Sequence, residues 1–489
     1  MRRLLLASVF AIALPAVAAD TVVGPGTAPD LTVYGGDFAL VRENRTIKLT
    51  DGENHLAFTG VSRTLQPETA TIQVVAAGPK APEVKILDQT FAFNLLSQDA
   101  LLEQAVGREV SVVTTNPASG RDTVERARVL SVQNGLVLEI GGKIHTGVPG
   151  RIVFDSLPGN LRPVPTLLMT AIGPSGADIP IELAYLTNGL GWKTDYVATY
   201  DGDAGRMDIT AWATVTNTTG AEFKDAKLRL AAGDVNRVAP PRPMPMMRAG
   251  KSMEMAMAAA PAQDSSVTNR SFEGLNIYTI PRPVTLLPGE SKQLALMRAT
   301  NLSAKREYVV RGQPWFYTSS MVGQHQEGRA EIEVIVKNEG RKAPAKGKQA
   351  SAEPEGLGGP LPAGVVRAYG QDQDGAPAFL GEDRIDHVAE GGEIKLHFGR
   401  DLDVPTTRDQ VNYVKASEKI SLSVWRIVMR NTKAKPVTVR VSEPISGDWE
   451  ISKENLPHTK ATSGAAEWTV PLPPKGEMVL EYTVKTSMP

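Results

Sequence analysis

The chain has 489 residues, with 53 Lys and Arg against 54 Asp and Glu, and no cysteine. Without thiols, neither disulfides nor thiolate metal sites can hold the fold, so stability must come from buried apolar surface, and a cysteine-anchored lipoprotein is excluded. The balanced charge gives no electrostatic reason to expect nucleic acid or an anionic membrane surface as partner, and at ~100–200 residues per domain the length predicts two to four modules.

The chain opens on Met1, Arg2 and Arg3, an apolar run from Leu4 to Leu14, and the small residues Ala16, Val17, Ala18 and Ala19. This is the pattern of a secretory signal peptide over residues 1–18, cleaved after Ala18 or Ala19. The run falls short of the ~20 residues a spanning helix needs. The residues around Arg2 and Arg3 lack the rest of a twin-arginine signal, so the general secretory route is expected. No later stretch reaches ~18 apolar residues. The mature chain is therefore expected to be exported, to the periplasm or the cell surface, with no integral membrane segment.

Residues 30–95 break into short strands at 31–34, 46–49, 55–61 and 70–75, separated by turns such as Asp51-Gly52, and predict a small β module. Residues 97–106 form the one helical pattern, with Ser97 as N-cap, Leu101, Leu102 and Ala105 on one side and Gly107 as the stop. From 107 to 160, short β runs are punctuated by Asn134-Gly135 and Gly141-Gly142. A small five-strand barrel and a simple extension of the first module both fit.

Beyond Arg162 the strands lengthen. Ile209, Ala211, Ala213 and Val215 alternate with Thr210, Trp212, Thr214 and Thr216. Ile332, Val334 and Val336 alternate with Glu331, Glu333 and Lys337, and Val437, Val439 and Val441 with Thr438 and Arg440. Each pattern predicts one face toward a core and one toward water. Three of these strands run into an asparagine and a polar turn, at Asn217, Asn338 and Asn431, which is read through asparagine's tolerance of turn conformations. The fold class expected is all-β: the N-terminal β module and small barrel, followed by one or two immunoglobulin-like β-sandwich domains over 162–310 and 311–489. A Met-, Pro- and Ala-rich insertion at 239–266 and a linker at 341–362 carry too little apolar burial to offset ordering and are expected to be mobile.

The phrases Leu183-Ala184-Tyr185-Leu186, Gly191-Trp192-Lys193-Thr194-Asp195-Tyr196 and Asn217-Thr218-Thr219-Gly220 carry a resemblance. So do residues 361–367 and 379–387. From about Pro165 to Lys485 the chain resembles the C-terminal region of bacterial mucoidy-inhibitor-like envelope proteins, a region catalogued as a domain of unknown function. The resemblance implies a β-rich fold and an exported location, and it brings no reaction, cofactor or catalytic residue. Longer members carry a heptad-patterned helical segment between their two regions. Here one short helix and the barrel pattern stand in that place, which puts any coiled-coil role in doubt.

No Gly-x-Ser-x-Gly elbow, His-Glu-x-x-His helix, phosphate loop or dinucleotide fingerprint is present, and His55, His145, His325, His387, His397 and His458 lack ligand-like spacing. The densest polar cluster is Glu382, Asp383, Arg384, Asp386 and His387. On a strand, Asp383 and His387 would share a face with Ile385 between them, either as a carboxylate-tuned acid–base group or as a solvated edge with local ion pairs. The turns Asp201-Gly202-Asp203 and Asp372-Gln373-Asp374-Gly375 are similar to the start of a calcium loop but lack its bidentate glutamate, and hairpin turns use the same residues. Met244, Met246, Met247, Met253, Met255 and Met257 are soft ligands suited to cuprous copper, or an adaptable hydrophobic surface. Trp192, Tyr196, Tyr200 and Trp212, and the run Trp315-Phe316-Tyr317, are platforms for sugars or proteins, or sandwich-core packing, which is favoured.

On this reading no residue is assigned as catalytic, cofactor-binding or metal-ligating, and no cofactor is expected. The pattern points to a non-catalytic binding or scaffolding module whose partner is an envelope protein or polysaccharide. The alternatives are a hydrolase of envelope polymers using Asp386 or His387, and a copper-handling protein using the methionines.

Overall fold

The computed structural model describes residues 20–75, 82–92, 95–147, 150–156, 158, 161–176, 178–237, 267–339, 357–371 and 374–487. The signal-peptide pattern, the Met-rich insertion, residues 341–356 of the linker, and Asp372 and Gln373 lie outside the described residues. Strand makes up 64% of the chain and helix 4%, in sandwich-like sheets, so the all-β fold class holds. No helix among the described residues is long and apolar enough to cross a membrane. The chain forms two compact units, one from Met1–Gly191, Thr216–Leu230 and Arg282–Lys292, the other from Trp192–Val215, Ala231–Pro281 and Gln293–Pro489.

In the first unit, Phe38–Lys48 and Asp178–Asn188 pair antiparallel along their whole lengths. Asp30–Tyr34 and Thr71–Val74 pair on the two outer sides of this ribbon. A second sheet runs in the order Thr21–Val23, Asn54–Thr59, Thr166–Ile172, Lys85–Ala92. Alternation buries Leu31, Val41, Ile47, Phe58, Leu167, Ile181 and Leu183 completely or nearly so. Among them sits an ion pair, Arg45–Glu43, with side chains 1% and 4% exposed. Burying two charges is tolerable only when the remaining donors are satisfied. Here Arg45 Nη1 donates to the Thr59 carbonyl at 2.8 Å and to that of Val23 at 3.3 Å.

Ser97 caps the helix Gln98–Ala105 as expected, accepting the Ala100 N–H at 3.1 Å, and Gly107 follows with φ +80°. The next five strands form their own antiparallel sheet in the order Lys143–His145, Val137–Ile140, Asp122–Ser131, Glu109–Thr115, Arg151–Val153. One face packs Ala105, Val110, Val112, Ala127, Val129, Leu138 and Ile140 into a small core. The barrel reading is corrected here: among the described residues no sheet closes on itself. The two end strands are three residues each, too short to supply the tilt and stagger that closure needs.

The second unit ends in a sandwich. One sheet contains His325–Lys337, Glu393–Lys415, Ile420–Arg430, Glu477–Ser487 and Asp448–Glu454 in that order. Facing it, Val437–Pro444 pairs parallel with the end of Ser291–Arg311 and antiparallel with Ala465–Leu472, which in turn pairs with His458–Thr462. The core between them holds Trp425, Trp468, Tyr317 and Tyr482 with Ile427, Val439, Val441, Val470 and Leu480. Large rings dominate this interior because each removes ~150–250 Å² from water.

Asn217, Asn338 and Asn431 are fully buried, and none adopts a positive φ. Their role is donation by the side chain rather than turn tolerance. Asn217 Nδ2 donates to the carbonyls of Ala221, Leu286 and Leu287 at 2.9, 3.2 and 3.1 Å. Asn338 Nδ2 reaches Gly359, Val388 and Ala389 at 3.0, 3.5 and 3.0 Å. Asn431 Nδ2 reaches Lys435, Leu472 and Pro473 at 2.9, 3.5 and 3.0 Å. In every case two of the acceptors are consecutive, and the asparagine's own N–H donates to the carbonyl four residues after the first of them: Glu290, Gly392 or Gly476. Just before that carbonyl the chain turns through positive φ, at Gly289, Gly391 or Lys475. The same latch is thus built three times, once in the first unit and twice in the second.

Candidate functional site

Two clefts in the second unit gather polar groups. The first, about 660 Å³, lies at one end of the C-terminal sandwich, where loops of this architecture cluster and are free to carry function. Its apolar lining comes from Pro314, Pro444, Ile445 and Trp449. Ser446 comes from the loop after Val437–Pro444, Asp448 from the start of the edge strand Asp448–Glu454, Ser463 from the turn between His458–Thr462 and Ala465–Leu472, and Lys460 from the edge strand His458–Thr462. Backbone bonds tie the loops together: Ile445 N–H donates to Gly464 O at 2.8 Å, and Gly312 N–H to Ser442 O at 2.8 Å. The indole N–H of Trp449 donates to Ser463 O at 2.7 Å. Lys460 Nζ sits 4.7 Å from the Trp449 ring centroid. Among the described residues, the side chains of Ser446, Asp448 and Ser463 have no protein hydrogen bond or ion pair.

Beneath this cleft lies an ionic cluster. Glu443 is fully buried and Arg408 is 6% exposed, and their atoms Oε1 and Nη1 approach to 2.5 Å without hydrogen-bond alignment. Tyr317 donates to Glu443 Oε2 at 2.6 Å, and its hydroxyl lies 2.9 Å from that of Tyr482. Burial, and then the Glu443 charge, push the Tyr317 and Tyr482 hydroxyls well above the usual phenol range. Burial works against the Arg408 charge, but Glu443 and the two phenols outweigh it and raise its pKa. Glu443 directly precedes Pro444 and Ile445, and Gly312 stands two residues before Pro314. This cluster therefore anchors two walls of the cleft.

The second cleft, about 610 Å³, is lined by Asp383, His397, Glu331, Glu382 and Arg400. Asp383 Oδ2 accepts from both the backbone N–H of His397, at 2.8 Å, and its Nδ1, at 2.7 Å. His397 Nε2 is 3.3 Å from Glu333 Oε2. Glu333, expected to face water, is 1% exposed. It is buried because Arg311 and Arg440 also converge on it. Partial burial opposes charge on Asp383, yet the hydrogen bonds from His397 and the Arg384 N–H prevail and hold its pKa below the usual carboxylate range. Gly381 takes φ +146°, a backbone conformation that favours glycine, where its strand passes the Phe398 backbone.

The predicted polar cluster is thus re-sorted. Asp383 is brought to His397, not to His387. The strand ends at Ile385, so Asp386 and His387 lie past it and are exposed, and His387 Nδ1 accepts the Ala363 N–H at 3.2 Å. Glu382 pairs with Arg367 at 3.2 Å. His325 and His458 each take a carboxylate of their own, Asp409 at 2.7 Å and Glu454 at 2.9 Å. Asp201 Oδ1 is occupied by the N–H groups of Asp203 and Ala204 in its own turn, at 3.0 and 2.9 Å. Of the aromatic candidates, Trp192, Tyr196, Tyr200, Phe316 and Tyr317 are buried, whereas Trp315 is 53% exposed. Trp449 and Lys460 were not singled out by sequence. The Lys at an edge strand and the Ser446-Gly447 and Ser463-Gly464 turns are the local signals that mark the loop end.

Fold and clefts together define an all-β protein with a group of three uncommitted polar side chains, Ser446, Asp448 and Ser463, at the loop end of a sandwich. Residues 181–489 match the family described as Domain of unknown function (DUF4139), and the chain belongs to it. No curated protein matches the sequence.

Proposed function

We propose that the chain is an exported, mucoidy-inhibitor-like envelope protein without catalytic activity, which binds or scaffolds an envelope protein or polysaccharide through the loop-end cleft. The observation that carries this reading is the contrast between fixed loops and free polar groups. The loops are tied by backbone bonds, while Ser446, Asp448 and Ser463 leave their side chains unspent. Ligand sites combine apolar surface with a few convergent polar groups, and the lining of this cleft presents both. Export rests on the signal-peptide pattern of residues 1–18 and favours the periplasm, with the cell surface as the alternative. A hydrolase reading shifts from Asp386 and His387 to Asp383 and His397, but there the second ring nitrogen is already engaged, 3.3 Å from both Glu333 Oε2 and Arg311 Nη2, and is not free to reach a substrate proton. The copper reading rests on methionines outside the described residues.

The test places a photo-crosslinking residue at Ser446 and, as control, at the exposed Ser417 in the producing cell. A discrete envelope adduct from position 446, absent from 417 and lost with Trp449→Ala, is expected. Equal adducts from both positions would sink the cleft as the binding site.

A further inference from the structure

We propose that the loop-end cleft takes a neutral saccharide chain, and that Lys460 covers its stacking face, the indole of Trp449, until the sugar displaces it. The inference rests on the binding reading above and adds the ligand class. Sugar recognition needs an apolar ring for the C–H face and paired donors and acceptors for the hydroxyls. The cleft supplies both. Trp449 has its ring fixed by the bond to Ser463 O. Around it, the hydroxyls of Ser446 and Ser463 can donate and accept, and the Asp448 carboxylate accepts, none of them engaged within the described residues. The cleft is formed by short loops and open along one side, which suits a segment of a polymer better than an engulfed small molecule.

An extended peptide fits less well. The two edge strands that border the cleft are Asp448–Glu454 and His458–Thr462. The first is bulged between Ile451 and Lys453, the second between Lys460 and Thr462. A peptide adding to a sheet edge needs an unbroken ladder, and bulges and an edge lysine are the devices that prevent it.

Lys460 is the feature that makes the idea decidable. Its ammonium lies over the indole, and the His458 ring packs against the same indole, tilted by 58° with centroids 5.9 Å apart, while Trp449 is partly buried against the sandwich core. A sugar that stacks on the face the lysine covers has to displace it. An exposed cation–π contact contributes about 0.5–1 kcal/mol, so displacing it weakens sugar binding by about two- to fivefold. Removing the lysine therefore strengthens binding of a neutral sugar, whereas a lysine that anchors an anionic ligand has the opposite sign.

The experiment is titration of the chain from Asp20 onward with cellotetraose, tetra-N-acetylchitotetraose and tetragalacturonate, followed by calorimetry and by the Trp449 indole N–H resonance. We expect a neutral tetramer to bind and shift that resonance. Trp449→Ala should weaken binding at least tenfold and Asp448→Ala severalfold, while Lys460→Ala leaves it unchanged or tightens it by up to about fivefold. The indole resonance of the unaltered protein gives the same answer should Trp449→Ala fail to fold. Binding of tetragalacturonate alone, or loss of binding in Lys460→Ala, overturns the proposal in favour of an anion site. No binding of any tetramer at 10 mM while the Ser446 adduct still forms overturns the saccharide class and leaves the binding reading standing; loss of both removes both.

Discussion

The two clefts of the second unit are close in size, about 660 and 610 Å³, and opposite in economy. Around His397 most charges are spent on one another: Asp383 on His397, Glu333 on Arg311, Arg440 and His397, Glu331 on Arg311. At the loop end the charges are separated. A fully buried Glu443 and nearly buried Arg408 hold the walls from beneath, while the side chains of Ser446, Asp448 and Ser463 that line the cleft are free. A dense cluster of titratable residues is what catches the eye in a sequence, but here its carboxylates and its histidine are already paired, and among the charged residues lining that cleft Arg400 alone of the described ones keeps an unpaired side chain.

The largest expected effect tests the support under the loop-end cleft. A Cβ at Gly312 would overlap the Glu443 carboxylate, with Cδ at 2.6 Å, and Glu443 has no room to retreat. Gly312→Ala should cost about 3–5 kcal/mol, the range for a disrupted buried ion pair, read as a lower urea midpoint together with loss of the Ser446 adduct. A loss below about 1 kcal/mol would mean the pair is not what holds the walls.

Next comes Asn431→Ala, which acts on Leu472, at the far end of the strand that begins beside the cleft. Leaving three carbonyls short of a donor, that of Leu472 in a buried bond and those of Lys435 and Pro473 in partly buried ones, should cost about 2–3 kcal/mol. Because the three latches share one geometry, Asn217→Ala and Asn338→Ala should each show a comparable loss. A neutral result at any one would show that site to be hydrated or redundant.

His397→Ala should be mild by comparison. The ring is nearly half exposed, at 47%, so about 1 kcal/mol is expected from its bonds to Asp383, with the cleft adduct unaffected. Loss of that adduct would join the two clefts functionally and break the comparison.

The smallest effect is on the acid side. Asp383 is held below its ordinary pKa by His397 against partial burial, and Glu307 by Lys305 and Arg440, again against burial. Carboxylates depressed in the folded state contribute stability above their unfolded values of ~3.9–4.3, and that contribution fades as pH falls through the folded values. Unfolding free energy should therefore begin to drop below about pH 4.5 and keep dropping below pH 4, less steeply in Asp383→Asn. A flat profile from pH 5 to 3 would contradict this sign.

Much of the architecture was legible residue by residue. Ile209, Ala211, Ala213 and Val215 are buried as their alternation requires, and Ser97 caps its helix. Asn217, Asn338 and Asn431 were visible as strand ends, but their partners were not, because Leu286-Leu287, Val388-Ala389 and Leu472-Pro473 lie 41 to 70 residues further along the chain. Glu333 was misplaced on the water face for the same reason: the cations that bury it come from other strands, Arg311 and Arg440.

Sequence alone determined that this is an all-β chain of alternating strands, because the side-chain period of two is a property of each strand by itself. It also determined that no thiol chemistry contributes. Which carboxylate meets which histidine, that the five-strand sheet stays open, and that Pro314, Asp448 and Lys460 face one cleft were decided only by tertiary structure. Those juxtapositions depend on sheet register and on loops brought together over more than a hundred residues, and nothing local in the chain encodes them.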